Sequence, residues 1–184
     1  MLALVIVIAI IAILLIISIS MYNNLVKSKN KAEEAEAGID AHLSQRFDLI
    51  PNLVETVKGY AKHEKETLEN VINARNMAMN ANGVAAKDQA DNILSGALKS
   101  LFALSEAYPD LKANTNFIAL QEELGNIERD LLNARKYYNA TARAFNDRIQ
   151  TFPSNLIASM FHFKKLDYVK AEEAARTAPK VSFQ

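Results

Sequence analysis

No cysteine occurs among the 184 residues, which excludes disulfides and thiol catalysis. A charge excess of either sign is missing too: 21 Lys and Arg balance 21 Asp and Glu. Nucleic-acid-binding proteins normally carry a basic excess, so no nucleic-acid partner is expected. Glycine and proline are scarce, at five and four residues, a composition with few turns that favours helices. The three histidines, His42, His63 and His162, have Ile39, Tyr60 and Ser159 three positions before them. The Glu-x-x-His pairs of a di-metal helical bundle are therefore absent. "KHEKE", Lys62 to Glu66, has the first His-Glu of a zinc-protease helix but lacks its second histidine. There is no Gly-rich phosphate loop and no GxSxG elbow. No metal, cofactor or catalytic residue is assigned, and no enzymatic activity is expected.

What the chain does have is a long apolar start. "MLALVIVIAIIAILLIISISMY" carries no charged side chain through Tyr22. As a helix it is about 33 Å long, close to the roughly 30 Å hydrocarbon core of a bilayer. No Lys or Arg precedes it and no A-x-A-like site follows, so it reads as a retained transmembrane helix, residues 1–22, rather than a signal peptide. Lys27, Lys29 and Lys31 lie just after it. The positive-inside rule then puts the remainder of the chain in the cytoplasm of a single-pass cell-membrane protein.

Beyond the span the apolar residues recur at helical spacing. Ala32, Ala35, Ile39, Leu43, Phe47 and Ile50 form one stripe. Leu53, Val54, Val57, Tyr60, Ala61, Leu68, Val71 and Ile72 form a second, fading into a loop at Asn80, Asn82 and Gly83. Ile93, Leu94, Leu98, Leu101, Phe102 and Leu104 form a third. The strongest runs through Phe117, Leu120, Leu124, Ile127, Leu131, Ala134, Tyr138, Thr141 and Phe145, a three-four alternation like a coiled-coil seam. Pro51 interrupts the first pair of stripes. A mid-helix proline costs about 3 kcal/mol, whereas in a first turn its missing N–H is harmless. The expectation is therefore a chain reversal at Arg46, Asp48 and Pro51, with Asp48 as helix N-cap and Arg46 paired to Asp48 or to chain ends. That gives an all-α fold: the transmembrane helix, then an antiparallel four-helix bundle over residues 23–152, then an amphipathic segment and tail over 153–184.

"YNNLVKSKNKAEEAEAGIDAHLSQRFDLIPNLVETVKGYAKHEKETLENVINAR", Tyr22 to Arg75, resembles the LemA family. So does "YPDLKANTNFIALQEELGNIERDLLNARKYYNATARAFNDRIQTFPSNLIASMFHF", Tyr108 to Phe163. The resemblance implies a bacterial single-pass membrane protein with an antiparallel helical bundle and no established biochemical activity. Gln45 stands where the family often has a basic residue, which thins positive charge near Arg46.

After Pro153, "SNLIASMFHFKK" gathers Leu156, Ile157, Met160, Phe161 and Phe163 beside Lys164 and Lys165. Such a segment either caps the bundle or rests on a bilayer surface or protein partner. The adjoining lysines assign Phe163 to the exposed side and Phe161 to the cap. The expected function is a membrane-anchored interaction or assembly protein, with the lipid bilayer and further copies or other proteins as partners. The alternatives are a membrane-shaping homo-oligomer, or a sensor or enzyme with a site inside the bundle, which a buried cluster of titratable groups would favour.

Overall fold

The computed structural model describes residues 1–170; the loose tail expected over 171–184 lies outside them. Every regular element among those residues is helical: α1 (Leu2–Tyr60), α2 (Lys65–Met79), α3 (Val84–Leu104), α4 (Pro109–Lys112), α5 (Thr115–Gln150) and α6 (Ser154–Met160). A 3₁₀ turn, Ser105–Ala107, joins α3 to α4. The N-terminal stretch of α1 is long and apolar enough to cross a membrane, and the chain buries none of it.

The reversal expected at Pro51 does not occur. Pro51 lies inside α1, and the chain turns ten residues later, over residues 61–64. Asp48 is an exposed mid-helix residue, not a cap. The physical reason is local. A proline at position i leaves the carbonyl of residue i−4 without its helical donor. That carbonyl belongs to Phe47, and the Arg75 Nε–H of α2 donates to it at 2.8 Å. The neighbouring helix thus supplies the hydrogen bond the proline removes. Arg46 is not paired with Asp48 either; it turns inward, as described below.

The chain forms two compact units, each assembled from separate segments. One comprises residues 38–135, with 168–170 among the described tail residues. Its core is the apolar face of α1 (Ile39, Leu43, Phe47, Ile50, Leu53, Val54, Val57), with Val71 of α2, Leu94, Leu98 and Leu101 of α3, and Phe117, Leu124, Ile127 and Leu131 of α5. α2 packs on α3. Lys87 of α3 grips both carboxylate oxygens of Asp40 on α1, at 2.7 and 2.8 Å. Phe102 meets Phe117 edge-on, with centroids 6.0 Å apart. Tyr60, Ile72 and Ile93, expected on buried stripes, are exposed instead. The turn between α2 and α3 needs Gly83, whose φ of 80° disfavours any side chain.

The other unit comprises residues 1–37 and 136–167. Beyond the apolar stretch, its core is formed by Leu25, Ala32 and Ala35 of α1, Tyr138, Ala142 and Phe145 of α5, and Ile157 and Ala158 of α6. The seam expected along α5 is buried in both units, with only Leu120 and Ala134 partly open.

Candidate functional site

Two arrangements of side chains stand out, one in each unit. The first is the hairpin that α6 makes against the start of the helix beyond the apolar span. Leu25, Ile157 and Ala158 form a buried cluster, with Met21, Tyr22, Ile149 and Phe163 packed around it. The turn into α6 is held by Ser154, whose hydroxyl lies against the carbonyls of Arg148 and Thr151 at 2.5 and 3.0 Å. The end of α6 is a Schellman motif: Phe163 N–H donates to Ala158 C=O at 2.9 Å and His162 N–H to Ser159 C=O at 3.2 Å. His162 supplies the left-handed residue that this motif needs, with φ 57°.

That geometry decides which phenylalanine goes inside. The residue after the left-handed position folds back on the helix, and here it is Phe163. Its ring meets Tyr22 and Phe145 at centroid separations of 6.0 and 6.1 Å. Phe161 lies on Tyr22 at 4.6 Å but stays half exposed. The expected roles of the two are therefore reversed. Ile157 is buried, while Leu156, Met160 and Phe152 are exposed, as are Lys164 and Lys165. Of the open apolar side chains, Phe161 lies on Tyr22, where the apolar stretch of α1 ends.

The chain then returns along α5. Buried Asn146 bonds the backbone of Leu166 in both directions, each at 2.9 Å. Tyr138 donates its hydroxyl to the Asp167 carbonyl at 2.8 Å. Burial, then the negative charges of Glu36 and Asp167, push its pKa up to about 12. An acid held more tightly in the folded state stabilises below its unfolded pKa, about 10, and loses that contribution as pH rises through the folded value. The detergent-solubilised chain is expected to lose about 2 kcal/mol from this group between pH 10 and pH 12. Tyr138→Phe is expected to be less stable than wild type at pH 8 yet to show a shallower alkaline decline. Equal slopes in pH-dependent melts would exclude Tyr138 as the source.

The second arrangement is a buried ion network. Arg46 on α1 donates to Asp91 Oδ1 and Ser95 Oγ on α3, at 2.7 and 3.0 Å. It also pairs with Glu128 on α5 at 2.8 Å. Arg135 of α5 takes the other Asp91 oxygen at 2.8 Å and Asp88 at 3.2 Å. Arg46 and Asp91 are 3% and 1% exposed. One buried aspartate thus joins guanidinium groups from two helices while lying on a third. Within this network the Arg46 Nε has no hydrogen-bond partner among the described residues. The apolar stripes gave no sign of Asp91, Ser95, Glu128 or Arg135. Among the described residues no three His, Asp or Glu side chains converge to hold a metal ion.

Among the described residues the chain is all-helical, with one N-terminal helix apolar and long enough to cross a membrane and a helical hairpin folded back beside the end of its apolar stretch, an arrangement that points to a membrane-associated helical protein. The profile of the LemA family matches residues 35–183, and the chain belongs to that family. It is similar to the protein LemA of Metamycoplasma hominis, 29% identical over 159 residues, covering 84% of this chain and 71% of the relative. It is also similar to magnetosome protein MamQ 2 of Paramagnetospirillum magneticum, 23% identical over 182 residues, covering 85% of this chain and 67% of the relative. MamQ of Magnetospirillum gryphiswaldense is 22% identical over the same shares.

Proposed function

We propose that this protein is a single-pass membrane anchor carrying an antiparallel helical bundle on the cytoplasmic side, and that it serves as an interaction and assembly module rather than an enzyme. The observation that carries the proposal is the exposed apolar set Phe152, Leu156, Met160 and Phe161 around α6, with Phe161 lying on Tyr22. A bilayer interface takes aromatic and aliphatic groups gathered on one short segment and flanked by Lys164 and Lys165. The cytoplasmic side follows from Lys27, Lys29 and Lys31 after the span. A bundle over residues 38–135 is supported by the short connections at residues 61–64 and 80–83 and by the Arg46 network joining α1, α3 and α5. Ile118 and Leu132, exposed on α5, offer contacts to protein partners or further copies.

The buried cluster of charges is the observation that favours a site inside the bundle. Its members are paired with one another, and its most buried cation is a guanidinium, which stays protonated and serves neither as base nor as nucleophile. We assign it to architecture.

The absence of native cysteine makes the test direct. Asn82→Cys, in the turn between α2 and α3, and Phe161→Cys are treated with an impermeant thiol reagent in intact cells, after lysis, and after detergent. Asn82→Cys is expected to stay unlabelled until lysis, and Phe161→Cys until detergent removes the bilayer. Labelling of Asn82→Cys in intact cells would reverse the topology. Equal labelling of both after lysis would remove the interfacial role of α6.

A further inference from the structure

Within the membrane-proximal unit, charge is not balanced as it is in the whole chain. Its residues, 1–37 and 136–167, hold eight Lys and Arg against five Asp and Glu. Between α1 and α5 this region holds a groove of about 360 Å³, within the range of roughly 300–1,000 Å³ typical of small-ligand sites. Lys27, Ser28 and Lys31 line one wall, and Tyr137, Thr141 and Arg148 the other. The groove exists because Ala140 and Ala144 put only methyl groups on the α5 side.

Its cations are not neutralised by neighbouring carboxylates among the described residues. Lys27 and Lys31 lie one helical turn apart, on the same face, and neither forms an ion pair with a described residue. Lys29, between them, is already paired with Glu33 at 2.8 Å. Arg148 makes one long bond, 3.4 Å, to the Asn24 carbonyl. Ser28, on the same wall as the two lysines, is 8% exposed. Two exposed lysines, an arginine and a serine lining one groove make a receptor for an oxyanion.

Position selects the oxyanion. Lys27 follows Tyr22 by five residues, about 7.5 Å along the helix, which matches the depth of a headgroup layer. Helical side chains tilt towards the N-terminus, so Lys27 and Lys31 lean back towards the bilayer.

We propose that this groove binds the phosphodiester headgroup of one anionic phospholipid in the leaflet where the helix emerges. Lys27, Lys31 and Arg148 contact the phosphate oxygens, the Ser28 hydroxyl donates to one of them, and the acyl chains lie along the apolar stretch of α1. The proposal rests on residues 1–22 spanning a bilayer, and it deepens the anchoring role by making it selective for lipid charge.

The test uses the full chain in mild detergent with native mass spectrometry, offered phosphatidylglycerol, phosphatidylcholine or inorganic phosphate. Wild type is expected to retain one phosphatidylglycerol, little phosphatidylcholine, and to release the lipid only at high phosphate. The Lys27→Gln/Lys31→Gln/Arg148→Gln variant is expected to retain phosphatidylglycerol on the order of 100-fold more weakly, at about fivefold per cation. Lys164→Gln/Lys165→Gln, outside the groove, is expected to retain it as wild type does. Equal loss in both variants, or equal retention of the two lipids, would overturn the proposal in favour of diffuse charge attraction. Preference for inorganic phosphate over phosphatidylglycerol would overturn it in favour of a soluble-anion site. Alkaline carbonate extraction of the membranes reads the underlying premise separately. Release of wild type would remove the span itself, whereas retention with no lipid selectivity removes only the groove.

Discussion

Asp91→Ala is expected to destabilise the protein by about 3–5 kcal/mol, the range for breaking a buried ion pair from one side. Asp91 accepts from Arg46 on one oxygen and from Arg135 on the other, and it is nearly inaccessible to water. Its removal leaves the Arg46 guanidinium inside the helical layer with Glu128, which is half exposed, as its remaining carboxylate. The penalty comes from the stranded cation more than from the lost attraction. Removing both charges together, in Arg46→Met/Asp91→Leu, is therefore expected to be milder than Asp91→Ala alone. Glu128→Gln, at the open edge of the network, is expected to cost no more than about 1 kcal/mol. Denaturant titration of the solubilised chain measures all three. A double variant at least as damaged as Asp91→Ala would mean that the pair itself, not the uncompensated charge, supplies the energy.

Pro51→Ala is expected to stabilise the protein by about 1–3 kcal/mol, because it restores an N–H in the middle of α1 and relieves the ring's clash with the preceding turn. The gain falls short of the full interior penalty because Arg75 already satisfies the Phe47 carbonyl. Arg75→Met alone is expected to cost about 1–3 kcal/mol by leaving that buried acceptor unpaired. In the Pro51→Ala background the same change is expected to cost less than half as much, since the restored backbone amide takes over as donor. The coupling from a double-mutant cycle is the decisive quantity, expected at about 1 kcal/mol or more. Strict additivity would show that Arg75 does not serve as the substitute donor.

The proline also shows where the sequence was legible and where it was not. The apolar phase Leu43, Phe47, Ile50, Val54, Val57, Ala61 runs in strict four-three steps straight across Pro51. A reversal at that point has no reason to keep the phase, so the pattern carried the answer. The intrinsic penalty of proline weighed against it because the compensating donor lies 28 residues away on another helix. The Arg46–Asp91 bond spans 45 residues, and no short-range pattern marks it. A charged residue on a stripe flank has the same appearance whether it meets solvent or a partner. The helical class, the apolar span, the turn at Asn80 to Gly83 and the α5 seam were all readable because each is a local or periodic signal. The choice between Phe161 and Phe163 was not, since it depends on His162 adopting a left-handed backbone that neither its type nor its neighbours announce.

The open hydrophobic rim formed by Phe152, Leu156, Met160 and Phe161 has a consequence for handling the protein. A version trimmed of its first 22 residues would keep that rim while losing the bilayer proposed to cover it. Such a fragment would be sticky in proportion to its concentration, and the clusters it formed in solution would measure how much wet surface can be hidden, not how many chains assemble in a cell. Short-chain detergent added at trace level would disperse clusters of that origin and leave a genuine contact between folded chains intact.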